Sequence, residues 1–379
     1  MRFTKFKEGI RRRYFQSGNM SLKPDFRCAY KQVDDCIIYA DVYVPHQPPS
    51  GEKRRVPAIL AIHGGAFILG HSDMVNKDQI ADCLSRGWIV ISLEHRLCPQ
   101  VNILEGPITD CRDALAWVHD DKNGLDAELS KHDSSAGFSV DKDRVMAFGT
   151  SSGGAIALAL GFSTPRPPAA ILDFYGATNF THAFWSSPLP TAPLPPNTSP
   201  DYIDQVYDES PVPIRGGVSL EGQSSAAAPK ASASSSSSFS SSSTTTMTTN
   251  PSPPHPTDKP SQPPNSLAPR PSFAFTHIAR GTLLRVCYPF GPLAAIDAVQ
   301  NITPFFPPTC IVHGSADTMV PMHLSRTLFE RLEENGVRRE WIEVPGEEHT
   351  FVGKMTKGGE VWARQRKGFD WLERVISSS

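Results

Sequence analysis

The residues best suited to chemistry in this chain are Gly149-Thr150-Ser151-Ser152-Gly153, which form a G-x-S-x-G pattern. An apolar, strand-like run, Val145 to Phe148, precedes the pattern, and an apolar, helix-like run follows it. A serine at such a strand-turn-helix junction projects its hydroxyl from the sheet edge, and glycines on both sides avoid collisions with neighbouring backbone. The pattern predicts that Ser151 is a nucleophile.

A serine nucleophile needs a histidine base and an acid that orients it, and in this kind of site they follow the serine in the order acid, then histidine. Asp317 lies just after a short apolar strand, Thr309 to Val312, and His349 just after another, Trp341 to Val344. Parallel strands bring their carboxyl ends to one edge of a sheet. We expect Asp317 to orient His349, which takes the proton of Ser151.

Both residues also have simpler interpretations. Asp317 could cap a helix that begins near Val320, and His349 could be a surface histidine in a loop. Their order, and their positions after separate strands, favour the catalytic interpretation. His323 is the competing base, but it lies in the expected first turn of a helix, where its ring would face solvent.

Backbone donors are expected in His63-Gly64-Gly65-Ala66-Phe67, directly after the apolar strand Val56 to Ile62. Acyl transfer places negative charge on a carbonyl oxygen, and N–H groups in a glycine-rich turn can approach that oxygen closely. The expected oxyanion hole comprises Gly64, Gly65, Ala66 and Ser152. An ordinary strand-to-helix turn is the alternative interpretation, and His63 is expected to be structural.

The elements that position these groups alternate along the chain. The strands that follow the first two are nearly continuous in apolar residues, as expected for a parallel sheet covered on both faces. Residues 27–33 and 37–44 predict an antiparallel opening hairpin. Amphipathic helices are expected from Pro107 to Val118 and near the C-terminus.

This alternation breaks between Gly176 and Pro307. Residues 223–272 form a tract rich in Ser, Thr, Ala and Pro, with too little apolar surface to offset chain entropy. We expect this tract to be disordered. After it, a helix is expected from Ile278 to Tyr288.

The H-G-G-x-F loop, the G-x-S-x-G elbow and the late acid and histidine resemble the α/β-hydrolase superfamily, in its hormone-sensitive-lipase-like esterase branch. Glu94-His95-Arg96-Leu97-Cys98-Pro99 is similar to a further segment of that branch, D-Y-R-L-A-P. Many relatives carry a third glycine at position 66, and Asp and Ala at positions 150 and 152. The resemblance implies a mostly parallel, eight-stranded sheet with helices on both faces, built from residues 1–178 and 301–379, with residues 179–300 as a cap insertion.

In relatives the cap covers the active site, so the resemblance implies a substrate pocket partly lined by aromatic rings. The candidates are Phe67, Phe180, Phe184, Trp185, Phe275 and Tyr288. The alternative is that the cap rings simply pack the cap onto the core.

These observations predict a serine hydrolase that cleaves carboxylic esters of small to medium size through an acyl-enzyme on Ser151, without a metal or cofactor. Amides, formamides, lactones and small peptides stay open as substrates, because residues 313–321 also resemble the equivalent loop of prolyl-oligopeptidase-type enzymes. A ligand receptor on the same fold is disfavoured, since the three triad residues are all present.

Composition limits the partners. The chain has 37 basic and 39 acidic residues, which gives no electrostatic case for nucleic acid or an anionic membrane. It has no apolar run long enough to span a bilayer and no apolar signal segment at its start. Seven cysteines without C-x-x-C spacing predict buried thiols. We expect a cytoplasmic protein with a small-molecule substrate; the basic first residues leave a mitochondrial address as the alternative.

Overall fold

The computed structural model describes residues 22–46, 54–217 and 267–378. Within these ranges eight strands form one sheet in the order β1-β2-β4-β3-β5-β6-β7-β8. The strands are β1 (Phe26–Val33), β2 (Cys36–Tyr43), β3 (Arg54–Ile62), β4 (Ile89–Leu93), β5 (Phe138–Thr150), β6 (Ile171–Phe174), β7 (Thr309–Gly314) and β8 (Arg339–Val344). β1 and β2 are antiparallel and β2 is antiparallel to β4, whereas the remaining pairs are parallel. The predicted fold class is confirmed.

Ten α-helices lie in the described ranges. They are α1 (Lys77–Ser85), α2 (Thr109–His119), α3 (Leu125–Leu129), α4 (Ser152–Ala159), α5 (Pro200–Ile203), α6 (Pro269–Ala279), α7 (Leu283–Cys287), α8 (Met322–Glu334), α9 (Glu360–Gln365) and α10 (Lys367–Ser377). A π-helical turn, Leu104–Ile108, precedes α2. Short 3₁₀ helices span Ser72–Met74, Ala183–Ser186, Asp204–Asp208, Leu293–Ala295, Ala298–Gln300 and His349–Gly353.

The sheet is covered on both faces. Along β3, Ala58 and Leu60 belong to one apolar cluster, which includes side chains of α2, α4 and α6, while Ile59 and Ala61 belong to a second cluster with α1 and α10. Alternate residues of one strand therefore enter different cores, because side chains point to opposite faces of a sheet. This explains why the strands are apolar without interruption.

The helix predicted from Ile278 to Tyr288 is wrong, because the structure has two helices there. α6 ends at Ala279 and α7 begins at Leu283. Between them Gly281 has a φ of +64°, and a Cβ at this position would stand 2.1 Å from the carbonyl oxygen of Ser187. A glycine in the left-handed region therefore ends α6, and only glycine fits beside that backbone.

The predicted end of the disordered tract is also wrong. Residues 223–266 of the tract lie outside the described residues, but residues 267–272 are described, and α6 begins at Pro269. Proline suits the first turn of a helix, where its missing N–H has no partner to lose. The side chain of Arg270 is buried and hydrogen-bonded to the core, a contact that the composition does not reveal.

The two ends of the predicted cap insertion meet at one carboxylate. The side chain of Asp297 accepts hydrogen bonds from the N–H groups of Asn179 and Phe180, at 3.1 and 2.8 Å. This contact agrees with a cap that leaves and re-enters the core at one place. The exact division at residues 179 and 300 stays a prediction.

All seven cysteines are buried, and none forms a disulfide. This agrees with the expectation of buried thiols. No helix in the described part of the chain is both long and apolar enough to cross a bilayer.

Candidate active site

Ser151 lies on a sharp turn between β5 and α4. Its backbone has φ 54° and ψ −122°, which residues with a Cβ rarely adopt. Its N–H donates to the carbonyl oxygen of Phe174 at 2.9 Å, which ties the turn to the end of β6. The turn is thus held in a strained conformation by its surroundings, as the motif predicts.

The glycines on either side of Ser151 are sterically required. A Cβ on Gly149 would stand 2.1 Å from the carbonyl oxygen of Gly153, and a Cβ on Gly153 would stand 2.3 Å from that of Ile62. These distances are far below van der Waals contact. The turn can therefore pack between the neighbouring strand and helix only with glycine at both positions.

The structure brings Ser151, His349 and Asp317 together. Nε2 of His349 lies 3.0 Å from Oγ of Ser151, and Nδ1 of His349 lies 2.7 Å from Oδ2 of Asp317. Asp317 follows β7 and His349 follows β8, so each side chain reaches the site from its own strand end. This is hydrogen-bond reach for a base and its orienting acid.

Asp317 is held as a carboxylate. Its Oδ1 accepts the backbone N–H groups of Met319 and Val320, at 2.9 and 2.8 Å. Burial opposes its ionisation, but His349 and the hydrogen bonds from His313 and His349 outweigh burial and hold the pKa of Asp317 well below its usual range. An ionised Asp317 can stabilise a positive charge on His349.

Two supporting residues were missed by the sequence analysis. His313 is fully buried, with Nε2 3.3 Å from Oδ2 of Asp317 and 2.8 Å from the carbonyl oxygen of Val320. The ring of Tyr175 packs edge-on against His349, with centroids 5.0 Å apart. The sequence signal that could have revealed them is their position. Each lies at or directly after the end of a strand of the parallel sheet, where a buried polar or aromatic side chain borders the site.

Asp173, a third missed residue, lies inside β6 and is fully buried. Burial raises its pKa to about 7, an effect that the nearby His313 and the Gly176 amide oppose. A Cβ on Gly154 or Gly176 would stand 2.2 Å from its Oδ1. A single aspartate in an otherwise apolar strand was the signal that could have revealed it.

Neither of the other two histidines considered takes the place of the base. His323 is exposed in the first turn of α8, as expected. His63 is buried, its Nδ1 lies 2.8 Å from the carbonyl oxygen of Gly64, and its ring stacks on His95 with centroids 4.4 Å apart. Burial lowers the pKa of both His63 and His95, which favours neutral rings and a structural role.

Of the four expected oxyanion-hole residues, Ala66 and Ser152 line the same cavity as Ser151, whereas Gly64 and Gly65 do not. Gly65 has a steric role in the turn. It has a φ of +126°, and a Cβ there would stand 2.2 Å from the carbonyl oxygen of Leu69. Ala66 and Ser152 are thus the two expected donors that border the cavity, and the roles of all four amides stay a prediction.

The cavity beside Ser151 has a volume of about 950 Å³, which includes space open to solvent. Phe67, Phe184 and Trp185 line it, as predicted. The sequence analysis missed the aliphatic lining, which consists of Ala177, Leu189, Ile278, Leu283, Leu284, Met319 and Val320. The site is therefore an apolar cavity with the serine and histidine at one wall.

Three predicted pocket residues lie elsewhere. Phe180 and Tyr288 line a neighbouring cavity, and Phe180 packs against the ring of Trp185 at 5.3 Å between centroids. Phe275 lies one turn before Ile278 on α6, and only the C-terminal end of that helix reaches the active-site cavity. Phe180 therefore supports the cavity wall through Trp185 without lining it.

Within the described ranges, no cluster of three or more His, Cys, Asp or Glu side chains could hold a metal ion. Seventeen residues line the cavity, and His349 is the one among them whose side chain can carry a charge.

Two family models match the chain. The BD-FAE model matches residues 40–189, and the model of the prolyl oligopeptidase family matches residues 289–379. The first match spans the expected oxyanion loop and the elbow, and the second spans Asp317 and His349.

Curated relatives of the chain include non-reducing polyketide synthases. The chain is 27% identical over 370 residues to the non-reducing polyketide synthase pkbA of Emericella nidulans, a match that covers 92% of this chain and 14% of that protein. It is 39% identical over 155 residues to the non-reducing polyketide synthase ausA of Aspergillus calidoustus, covering 40% of this chain and 6% of that protein. The chain therefore spans no more than about one seventh of the length of these relatives.

Solved structures share the fold. A protein of unknown function from Staphylococcus aureus subsp. aureus Mu50 has a TM-score of 0.59 at 17% identity, covering 92% of this chain and 99% of that one. Thermogutta terrifontis esterase 2, phosphonylated by sarin, has a TM-score of 0.54 at 16% identity, covering 96% and 98%. These neighbours show that the chain has the α/β-hydrolase fold, and the two family models match the parts of that fold that hold the elbow and the late acid and histidine.

Proposed function

We propose that this chain is a serine hydrolase that cleaves neutral carboxylic esters of small to medium size. The observation that carries the proposal is the line of contacts from Asp317 through His349 to Oγ of Ser151, at the wall of an apolar cavity. The esterase-like fold supports a hydrolase, and the lining supports a substrate without charge.

In this mechanism Ser151 attacks the ester carbonyl while Nε2 of His349 takes the hydroxyl proton. The N–H groups of Ala66 and Ser152 stabilise the negative charge that develops on the carbonyl oxygen. His349 then gives its proton to the leaving alcohol, which departs and leaves an acyl-enzyme on Ser151. Water, deprotonated by His349, attacks the acyl carbonyl; the bond to Oγ of Ser151 breaks, the acid departs, and His349 returns its proton to Oγ. Asp317 stabilises the imidazolium that forms in each half of the reaction.

A second candidate substrate is an acyl thioester of polyketide type. The relatives that match most of this chain are polyketide synthases, and a thioester presents the same carbonyl to Ser151 with a thiol as the leaving group. Amide and peptide substrates are supported by the prolyl oligopeptidase match. The described lining, however, offers no Asp, Glu, Lys or Arg to bind a charged peptide terminus.

Hydrolysis of a matched substrate series tests the proposal. We expect p-nitrophenyl esters from acetate to decanoate to be cleaved with kcat/KM values at least about 100-fold above those of the matching anilides. The reason is that the amine of an anilide must take a proton before it can leave. An N-acetylcysteamine thioester and a lactone complete the series. A faster anilide would contradict the ester proposal, and a thioester preferred over its ester would favour the second candidate.

Trp185 is expected to limit the length of the acyl chain. Its indole lines both the active-site cavity and the neighbouring cavity of about 980 Å³, and its Nε1 is fixed by a 2.9 Å hydrogen bond to the carbonyl oxygen of Thr178. Trp185→Ala should join the two cavities. We expect kcat/KM for decanoate relative to acetate to rise about 10-fold, the scale of one or two methylene contacts.

Trp117→Ala is the control for the loss of an indole, because Trp117 is also half-buried but packs against Tyr30 on β1. Its acyl-chain profile should match that of the unaltered protein. An unchanged profile in Trp185→Ala would mean that the indole does not divide the cavities.

A further inference from the structure

The oxyanion loop, residues 63–70, has a backbone that its sequence does not favour. Ala66 and Phe67 follow one another in the left-handed region, with φ of 56° and 65°. Residues with a Cβ are strained there, and such strain persists only when surrounding structure imposes it. Contacts from outside the loop must therefore hold it in place.

The side chain of Arg270, on cap helix α6, is one of these contacts. It is 5% exposed, and its Nη1 donates to the carbonyl oxygens of Ile68 and Cys98, at 2.9 and 2.7 Å. Its Nη2 donates to Oε1 of Gln100 at 2.7 Å, and its Nε to Oε2 of Glu209 at 2.9 Å. All three guanidinium nitrogens are engaged, and the planar group fixes their partners relative to one another.

The carbonyl groups of Ile68 and Cys98, which both accept from Arg270, lie next to a further hydrogen bond of the loop. The N–H of Cys98 donates to the carbonyl oxygen of Phe67 at 2.9 Å. The hydrogen bonds of Arg270 to Ile68 and Cys98, with the bond from Cys98 to Phe67, therefore fix the backbone at Phe67. Phe67 and Ala66 line the cavity beside Ser151. Arg270 itself does not line the cavity.

We propose that Arg270 is a positioning residue for ester hydrolysis, which holds the oxyanion loop so that the Ala66 amide meets the charge developing on the substrate carbonyl. This inference rests on the proposed function and adds to it a role for the cap. Removing an oxyanion donor costs about 100- to 1,000-fold in rate, and a displacement of about 1 Å can cost about 100-fold. The loss of Arg270 displaces the donor without removing it, so it should cost less than loss of the donor, about 10- to 100-fold.

Steady-state kinetics on p-nitrophenyl butyrate test the proposal. Arg270→Ala should lower kcat per active site about 10- to 100-fold with KM within about threefold, because the affected contact forms mainly in the transition state. Arg270→Lys keeps a charged donor and should recover part of the loss. The concentration of active sites is measured by labelling to completion with a fluorophosphonate. A smaller folded fraction is therefore not mistaken for a lower kcat.

Arg86→Ala is the matched control. The side chain of Arg86 is also 5% exposed, and it pairs with Asp82, Asp370 and Glu373 before the amino end of β4, at the sheet edge opposite the site. This variant should lose stability and keep its kcat. A raised KM with unchanged kcat in Arg270→Ala, or a lowered Tm alone, would overturn the positioning role.

Hydrogen exchange separates this inference from the proposed function. The amides of Ile68 and Leu69, which bond to the carbonyl oxygen of Gly65, should exchange faster in Arg270→Ala and not in Arg86→Ala. If the unaltered protein cleaves no ester, the proposed function fails, and exchange alone decides on Arg270. Unchanged loop exchange would overturn the inference even in an active esterase.

Discussion

Replacing Ser151 with alanine should lower kcat for ester hydrolysis by about 10⁶-fold, since loss of a serine nucleophile removes the contribution of the whole catalytic unit. The hydroxyl is the group that Nε2 of His349 faces at 3.0 Å. Alanine keeps the Cβ that the strained turn already accommodates, so the fold should persist. Kinetics with p-nitrophenyl butyrate, and covalent labelling by a fluorophosphonate, measure the loss.

Ser85→Ala provides the control for this experiment. Ser85 ends α1, its hydroxyl donates to the carbonyl oxygen of Asp82, and it lies toward the sheet edge remote from the site. This variant should label and turn over like the unaltered protein. Labelling that persists in Ser151→Ala, or a loss of less than about tenfold, would place the nucleophile elsewhere.

The framework was predictable because it depends on local patterns. Apolar runs such as Val56 to Ile62 have the length and character of buried parallel strands. The glycines around Ser151 indicate a turn with no room for a Cβ. The order serine, acid, histidine is the one expected after such an elbow, and the three side chains meet because parallel strands end at one edge of the sheet. These features need no knowledge of distant contacts.

The described part of the predicted cap was less predictable because its structure depends on contacts between segments remote in sequence. Gly281 ends α6 in the left-handed region beside the backbone of Ser187, and Arg270, at the end of a Ser- and Pro-rich tract, donates hydrogen bonds to Ile68 and Cys98. Neither partner is visible from local composition. For the same reason only some of the aromatic candidates line the cavity beside Ser151, since the direction in which a side chain points is fixed by packing.

The buried polar groups show the same limit. His313 and Tyr175 surround the candidate acid and base, yet each is a single residue at the end of an apolar strand. Sequence spacing identified the residues that contact one another directly. It could not identify those that fix the orientation of the contacting groups, because that role depends on three-dimensional neighbours.

Replacing Asp317 with asparagine should lower kcat by about 10⁴-fold while leaving the fold intact. The amide cannot stabilise a positive charge on His349, and its NH₂ group can favour the wrong tautomer of the ring. Asp82→Asn is the control, because Asp82 is also a buried carboxylate, paired with Arg86 and Arg366 away from the site. Its kcat should stay within about threefold of that of the unaltered protein.

The same variant also tests the charge state of Asp317. The folded protein holds the pKa of this carboxyl below its ordinary value, so its ionised form stabilises the fold at pH values above about 4, and this contribution is lost as the pH falls. The difference in unfolding free energy between the unaltered protein and Asp317→Asn should therefore be largest near neutral pH and shrink in acid. A difference that does not change with pH, or kinetics like those of the unaltered protein, would mean that another carboxylate orients His349.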